Sequence, residues 1–318
     1  MLSQIPSKLD IVTSHLRIQD YIKKTPVLFS EEINDQIGAD VIFKCENLQK
    51  IGAFKARGGI NAALSLRKDD LQKGLCTHSS GNHAQAIALA AKLLGTQAYI
   101  VMPHTAPKPK INGVKKLGAE IIFCEPTLQA REDGVEKVIE KTGAVFIHPF
   151  DNYDVIAGQA TAAKEILEEN TELDYIFAPV GGGGLLSGTA LSAKYFGKKT
   201  KVIGCEPEGA ADAILSFKSG KVEKAPFVKT IADGLLTNLS DKTLEIIRNG
   251  VEDILTVSDE EILEAMKIMV DNLKIVIEPS SAVPLAVLLK NKERFAGKKI
   301  AIIISGGNVD LESFGLKI

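Results

Sequence analysis

The sequence predicts an α/β fold built on parallel sheet with helices on both faces. Three observations predict it: apolar, β-branched runs alternate with longer helical stretches, the apolar runs are continuous, and glycine- or serine-rich loops follow several of them directly. A continuous apolar run is how a strand reads when both of its faces are covered; a strand with one wet face alternates instead. A chain of 318 residues is long enough for about two domains at roughly 100–200 residues each.

The strand-like runs are 41–45, 75–78, 97–102, 120–124, 144–147, 174–180, 201–205 and 298–304. Between them lie helix candidates at 83–94, 155–169, 185–196 and 259–274. The last opens with Ser258 and Glu261, a capping box in which the serine caps the first turn and the glutamate reaches back. The proline-bearing stretch 103–109 reads as a loop entering a helix. No repeat, low-complexity tract or long linker marks a domain boundary.

Composition excludes several classes. Hydrophobic residues are 45% and charged residues 25% of the chain, an ordinary globular mix. Lys and Arg total 38 against 40 Asp and Glu, a net charge of −2 without the basic excess of a nucleic-acid protein. No apolar run reaches the ~18 residues of a membrane span. The first twenty residues are polar and mixed in charge, unlike a signal peptide. Cys45, Cys76, Cys124 and Cys205 show no CxxC spacing, so neither a disulfide framework nor structural zinc is expected. The expectation is a cytoplasmic protein without nucleic-acid or membrane partners.

Four loops could carry chemistry. Gly181-Gly182-Gly183-Gly184 joins an apolar strand to a helix, leaving N–H groups free at the positive helix end; this is a phosphate cradle or, failing that, a tight turn. It is neither a P-loop nor a GxGxxG fingerprint, so the phosphate should be one that is held rather than transferred. Phe54-Lys55 follows the 41–45 strand and its short loop, where Lys55 reads either as a Schiff-base lysine or as a solvated one. Ser79-Ser80-Gly81-Asn82-His83 opens an alanine-rich helix, either capping it or cradling a carboxylate. Ser305-Gly-Gly-Asn308 follows a very apolar strand, at the edge where open α/β sheets bind ligands.

Together with the segment Lys44-Cys-Glu-Asn-Leu-Gln-Lys-Ile-Gly-Ala-Phe-Lys55, these loops resemble the fold-type II pyridoxal-phosphate enzymes, and within them the serine racemases and serine/threonine dehydratases. His148-Pro-Phe, Val155-Ile-Ala-Gly-Gln159, Ile231-Ala-Asp-Gly234 and Ile277-Glu-Pro279 fit the same pattern, which runs from about residue 20 to residue 312. The resemblance implies a two-domain, tryptophan-synthase-β-like fold, with a large domain of residues 1–47 and 148–318. A small domain, 48–147, would close over the substrate. It implies pyridoxal 5′-phosphate linked to Lys55, Phe54 against the ring, Asn82 at the ring hydroxyl, and Gly181–Gly184 with Leu185 on the phosphate. Ser305 would meet the pyridine nitrogen, where a neutral hydroxyl sustains a weaker electron sink than a carboxylate and favours elimination or reprotonation over transamination.

The implied activity is loss of water from L-serine or L-threonine to give a 2-oxo acid and ammonia, with Lys55 as the base at Cα. The Ser79–His83 loop would hold the substrate carboxylate, and Ser80 matches the serine that racemases place on the opposite face. Serine racemase as the main activity and threo-3-hydroxyaspartate dehydratase are the alternatives. Arg131 could serve the second carboxylate of hydroxyaspartate, although a salt bridge on a helix surface is the expectation. Glu206, the Ala210 carbonyl and Asp212 match the family's cation ligands, an oxygen set suited to Mg²⁺, Mn²⁺ or Ca²⁺.

The chain also departs from its relatives. Ala53 stands where many members have serine, and Phe150 where animal racemases have asparagine. Ile51 stands where animal racemases have threonine near their nucleotide site, which counts against activation by ATP. No regulatory extension is expected after Ile318, and a homodimer is what the resemblance implies.

Overall fold

Two sheets carry the loops. The computed structural model describes residues 1–106, 108–310 and 314. Its strands are β1 (Val27–Phe29), β2 (Asp40–Cys45), β3 (Leu75–His78), β4 (Ala98–Pro103), β5 (Glu120–Cys124), β6 (Val145–Phe146), β7 (Tyr175–Pro179), β8 (Lys201–Pro207), β9 (Asp253–Val257) and β10 (Lys299–Ile304). The larger sheet has the order β1-β2-β10-β7-β8-β9 and the smaller β5-β4-β3-β6. Every pairing is parallel except β1 on β2.

β10 explains the continuous apolar run at 298–304. It lies between β2 and β7, with Ile304 opposite Cys45 and Ile300 opposite Tyr175, and all of its residues after Lys299 are buried. Helices 259–273 and 279–290 cover one face of the larger sheet, whose core includes Phe43, Phe177 and Phe295. Helices 153–169 and 184–196 cover the other. The capping box forms as expected, with Ser258 accepting from the N–H of Glu261 and the Glu261 carboxylate accepting from that of Ser258.

Three strands depart from the pattern. β1 and β9 give no apolar run, because each is an edge strand and β1 is only three residues long. β5 is apolar yet partly wet, with Phe123 51% exposed, because it too lies on an edge.

Helix 55–64 sits between the two sheets, packed on helix 153–169 on one side and on helix 82–94 on the other. The first crossing is close because glycine faces glycine: a Cβ on Gly158 would lie 2.7 Å from the Gly58 Cα. Residue 55 is the first residue of this helix, so the crossing fixes where its side chain starts. No described helix is long and apolar enough to cross a membrane.

Candidate active site

The carboxyl ends of β2, β3, β7 and β10 converge on one cleft enclosing about 970 Å³ of open space. Its walls include Phe54, Lys55, Ser79 to His83, Gly181 to Leu185 and Ser305, so all four loops singled out in the sequence meet there.

Lys55 is not a solvated lysine. Burial pushes its amine down to about 8, with the Glu278 carboxylate opposing that shift. Its Nζ donates to the Pro149 carbonyl at 3.0 Å and lies 5.2 Å from the centre of the Phe54 ring. The Pro149 loop is held in turn by His148, whose Nδ1 accepts from the N–H groups of Phe150 and Asp151 at 3.3 and 2.9 Å. Burial, reinforced by the charge of a neighbouring His78, brings the His148 pKa down to about 4, so the ring stays a neutral acceptor at physiological pH.

The glycine loop leads into helix 184–196, with Gly183 at φ +85° as its N-cap. A Cβ on Gly182 would meet the Phe150 ring at 2.2 Å, and one on Gly183 the Leu239 side chain at 2.7 Å. Glycine is therefore required by close approach as well as by backbone conformation, which goes beyond a plain turn. A phosphate fits this place: N–H groups at a helix start, no side chain in the way, and Lys55 lining the same cleft.

The Ser79–His83 loop does not cap its helix with a side chain. Gly81 is the N-cap and no side-chain cap bond forms, so the capping alternative for Ser79, Ser80 and Asn82 is set aside. The Ser79 hydroxyl accepts from the Gly81 N–H at 3.2 Å, while Ser80 makes no side-chain hydrogen bond among the described residues. His83 is buried, with Nε2 against the Ile147 carbonyl at 3.1 Å and Nδ1 unpartnered. Burial drives its pKa well below the usual range. Asn82 donates from Nδ2 to both Glu278 oxygens, at 2.9 and 3.1 Å.

Arg131 corrects an expectation. It lines the cleft, its Nε is buried without a partner, and it forms no ion pair among the described residues. A helix-surface salt bridge is thereby excluded, since no carboxylate lies within reach on its own helix face.

Ser305 is 3% exposed, and its hydroxyl meets the Ser281 hydroxyl at 3.0 Å. Its carbonyl accepts from the Phe54 N–H at 2.9 Å, stitching the lysine loop to the end of β10. Three residues before Phe54, Ile51 takes φ +58°, a left-handed conformation that costs a β-branched residue about 1–2 kcal/mol.

Glu206, near the end of β8, and Asp212, first in helix 212–219, are buried, with no cationic side chain paired to them among the described residues. The Glu206 oxygens accept from the N–H groups of Ala213 and Ile214 at 2.7 and 3.0 Å, and Asp212 accepts from that of Leu239 at 3.2 Å. Burial still pushes Glu206 up to about 8 and Asp212 up to about 7. Ala210 ends the short turn between them. No group of three or more His, Cys, Asp or Glu side chains that could hold a metal occurs among the described residues, so any cation here needs main-chain oxygen and water as well.

Several cleft residues had no role assigned from sequence. Lys110, in a lysine-rich helix that reads as a solvated face, is 6% exposed and pairs with Asp233. Burial pushes Glu278 up to about 7 although Lys110 pulls the other way. Asp233, Glu278 and Asn308 all lie within short motifs that the sequence does display, so position in those motifs was the available signal.

Comparison with known proteins agrees with this geometry. The family described as pyridoxal-phosphate dependent enzyme matches residues 18–306. A beta-hydroxyaspartate dehydratase of Paracoccus denitrificans is 48% identical over 308 residues, covering 97% of this chain and 98% of its own. The serine racemase of Dictyostelium discoideum is also 48% identical over 308 residues, covering 96% of this chain and 95% of its own. Its crystal structure superposes with a TM-score of 0.91 over 96% of this chain and 99% of that one. The crystal structure of a T.th. threonine deaminase superposes with a TM-score of 0.90 at 41% identity, covering 96% and 99% of the two chains. With a buried lysine, a glycine-lined helix start in the same cleft and near-complete coverage by these relatives, the chain belongs to the pyridoxal-phosphate-dependent enzymes, in the group of serine racemases and hydroxy-amino-acid ammonia-lyases.

Proposed function

We propose that this enzyme eliminates water from L-serine and L-threonine, releasing a 2-oxo acid and ammonia, with serine racemisation as an accompanying activity. The observation that carries the reading is Lys55: a buried amine brought down to about 8 holds a far larger neutral fraction near neutral pH than a solvated lysine, in the same cleft as Ser80, whose hydroxyl makes no hydrogen bond among the described residues. When bound, pyridoxal phosphate supplies the electron sink for negative charge at the substrate Cα. Lys55 carries the cofactor and, once displaced, takes the Cα proton.

Phe54 packs against the ring, Asn82 meets its hydroxyl, and Ser305 meets its nitrogen with a neutral hydroxyl. The N–H groups of Gly181, Gly182, Gly183, Gly184 and Leu185 hold the phosphate. Ser79, Ser80, Gly81, Asn82 and His83 orient the substrate carboxylate at a helix start, where N–H groups favour an anion. Ser80 delivers a proton on the face of Cα opposite Lys55, which is the racemising step. Residues 48–147 close as a unit and exclude water. Two contacts that already join this unit to the larger sheet support that: Lys110 with Asp233, and Asn82 with Glu278.

Glu206, the Ala210 carbonyl and Asp212 hold Mg²⁺, Mn²⁺ or Ca²⁺ with water, bracing the larger unit away from the chemistry. Two neighbouring buried carboxylates, with no cationic side chain reaching them among the described residues, support this site. The protein acts as a cytoplasmic homodimer. Its four cysteines are all free, which accords with a reducing compartment.

A second reading has its own support. Arg131, a cation in the cleft with its buried Nε unpartnered and no ion pair among the described residues, suits a substrate with a distal carboxylate, which makes threo-3-hydroxyaspartate the alternative substrate. The test supplies purified enzyme and Mg²⁺ with L-serine, L-threonine or L-threo-3-hydroxyaspartate, and measures 2-oxo acid and amino-acid chirality together. Pyruvate and 2-oxobutyrate as main products support the first reading. D-serine formed at a comparable rate makes racemisation the main activity, and turnover confined to hydroxyaspartate selects the second reading.

A further inference from the structure

The loop after β10 carries Asn308, whose carboxamide has an unusual set of neighbours. Its Nδ2 donates to the Ile51 carbonyl at 2.7 Å and to the Asn82 Oδ1 at 2.8 Å. Asn82 in turn donates from its own Nδ2 to Glu278. A polar chain therefore runs Ile51, Asn308, Asn82, Glu278 along the wall of the cleft.

The direction of this chain is set at one end. A main-chain carbonyl only accepts, so Asn308 must present its NH₂ group toward Ile51. The second proton of that NH₂ group then meets Asn82, which must turn its oxygen toward Asn308. The Asn82 NH₂ group is left for Glu278 and the cleft. Two neighbours make room for this arrangement. Gly52, at φ +68°, leaves space where a Cβ would come within 2.8 Å of the Asn308 Oδ1, and the Gly307 N–H donates to the Gly52 carbonyl at 2.9 Å.

We propose that Asn308 is a positioning residue that acts through Asn82, fixing the face of the Asn82 carboxamide so that its N–H, and not its oxygen, points at the cofactor ring hydroxyl. The inference rests on the placement of Asn82 at that hydroxyl given under Proposed function. Asn308 matters because Glu278 alone is an ambiguous partner. As a carboxylate it accepts from the Asn82 NH₂ group; as a carboxylic acid it can donate to the Asn82 oxygen and favour the flipped amide. Burial pushes Glu278 up to about 7, and the charged groups acting on it are Lys110 and Lys55 on one side and Asp233 on the other. Asn308 makes the orientation of Asn82 independent of that titration.

The test is the visible absorbance of the cofactor-loaded enzyme, titrated between about pH 6 and 9 for wild type, Asn82→Ala, Asn308→Ala, the near-isosteric Asn308→Asp and the double variant Asn308→Ala with Glu278→Gln. Loading is followed by cofactor affinity. The expected result is a wild-type spectrum without a transition near pH 7. Asn308→Ala should gain one, matching wild type at high pH and Asn82→Ala at low pH. The double variant should lose the transition, since a carboxamide in place of the Glu278 carboxyl does not titrate. A wild-type titration in loaded Asn308→Ala, beside an altered one in Asn82→Ala, overturns the inference. Failure of both Asn308 variants to load while Asn82→Ala loads also overturns it, because a residue acting through Asn82 cannot matter more than Asn82. A wild-type titration in Asn82→Ala removes the underlying placement of Asn82, and the inference falls with it.

Discussion

Where helix 55–64 crosses helix 153–169, four charged side chains are buried together: Arg57, Lys44, Glu46 and Glu165. Arg57 donates to Glu46 at 2.7 and 2.8 Å and to Glu165 at 2.7 and 2.9 Å, and Lys44 donates to Glu165 at 2.6 Å. Two positive charges meet two negative ones. Burial alone would raise Glu165, but Arg57 and Lys44 outweigh it and hold that carboxyl below its usual range. At the end of β8 the same kind of group meets the opposite outcome: Glu206 and Asp212 have only N–H donors, and burial wins. The difference teaches that backbone donors alone do not neutralise a buried carboxylate pair. The first cluster is closed and structural. The second stays open, with no cationic side chain reaching it among the described residues.

The largest effect tests the closed cluster. Arg57→Leu leaves two buried carboxylates facing one lysine and should cost about 3–5 kcal/mol in equilibrium urea unfolding, because an uncompensated charge is more costly than a missing pair. Next comes the open cluster. Mg²⁺ at a hundred times its Kd should raise stability by about 2.7 kcal/mol, a gain that EDTA reverses and that Glu206→Gln with Asp212→Asn abolishes. An equal gain in that variant would place the cation elsewhere.

The open cluster also predicts a pH trend. Carboxyls whose folded pKa values are raised to about 8 and about 7 bind more protons folded than unfolded above about pH 4. The contribution of this pair to the stability of the metal-free protein, read as the difference between wild type and Glu206→Gln with Asp212→Asn, should therefore fall as pH rises from about 4 to about 8, and saturating Mg²⁺ should flatten that slope.

Arg131 extends the comparison to an unpaired cation. Arg131→Gln should lower kcat/KM for L-threo-3-hydroxyaspartate by about ten- to a hundredfold, in line with about 1.5–3 kcal/mol for a hydrogen bond to a charged group, and leave L-serine nearly unchanged. Equal losses on both substrates would remove its role in specificity. The smallest effect serves as a control outside all of these sites. Ser258→Ala removes a helix cap and should cost about 1 kcal/mol, read by urea unfolding, with turnover and response to Mg²⁺ unchanged.

Much of the fold was legible because its central strands are buried on both faces. β3 and β5 coincide with the expected runs, β10 starts one residue later, and β4 is shifted by one residue at each end. The antiparallel β1 was not legible, since three residues carry no period. The glycine loop and Lys55 were legible as alternatives, and burial sets aside the solvated alternative for the lysine. Arg131 misled, because its charge suggested solvent while its helix turns it into the cleft.

The sequence by itself determined the alternation of strand and helix, the loops at strand ends and the membership of the family, because these depend on residue order and local conformation. Tertiary structure alone decided which charges are paired. Glu165 and Glu206 are the same residue type, each on or beside a buried element, and no local pattern separates them. Arg57 and Lys44 reach Glu165 from 108 and 121 residues away. No cationic side chain reaches Glu206 among the described residues, and a pKa is set by charges across space rather than along the chain.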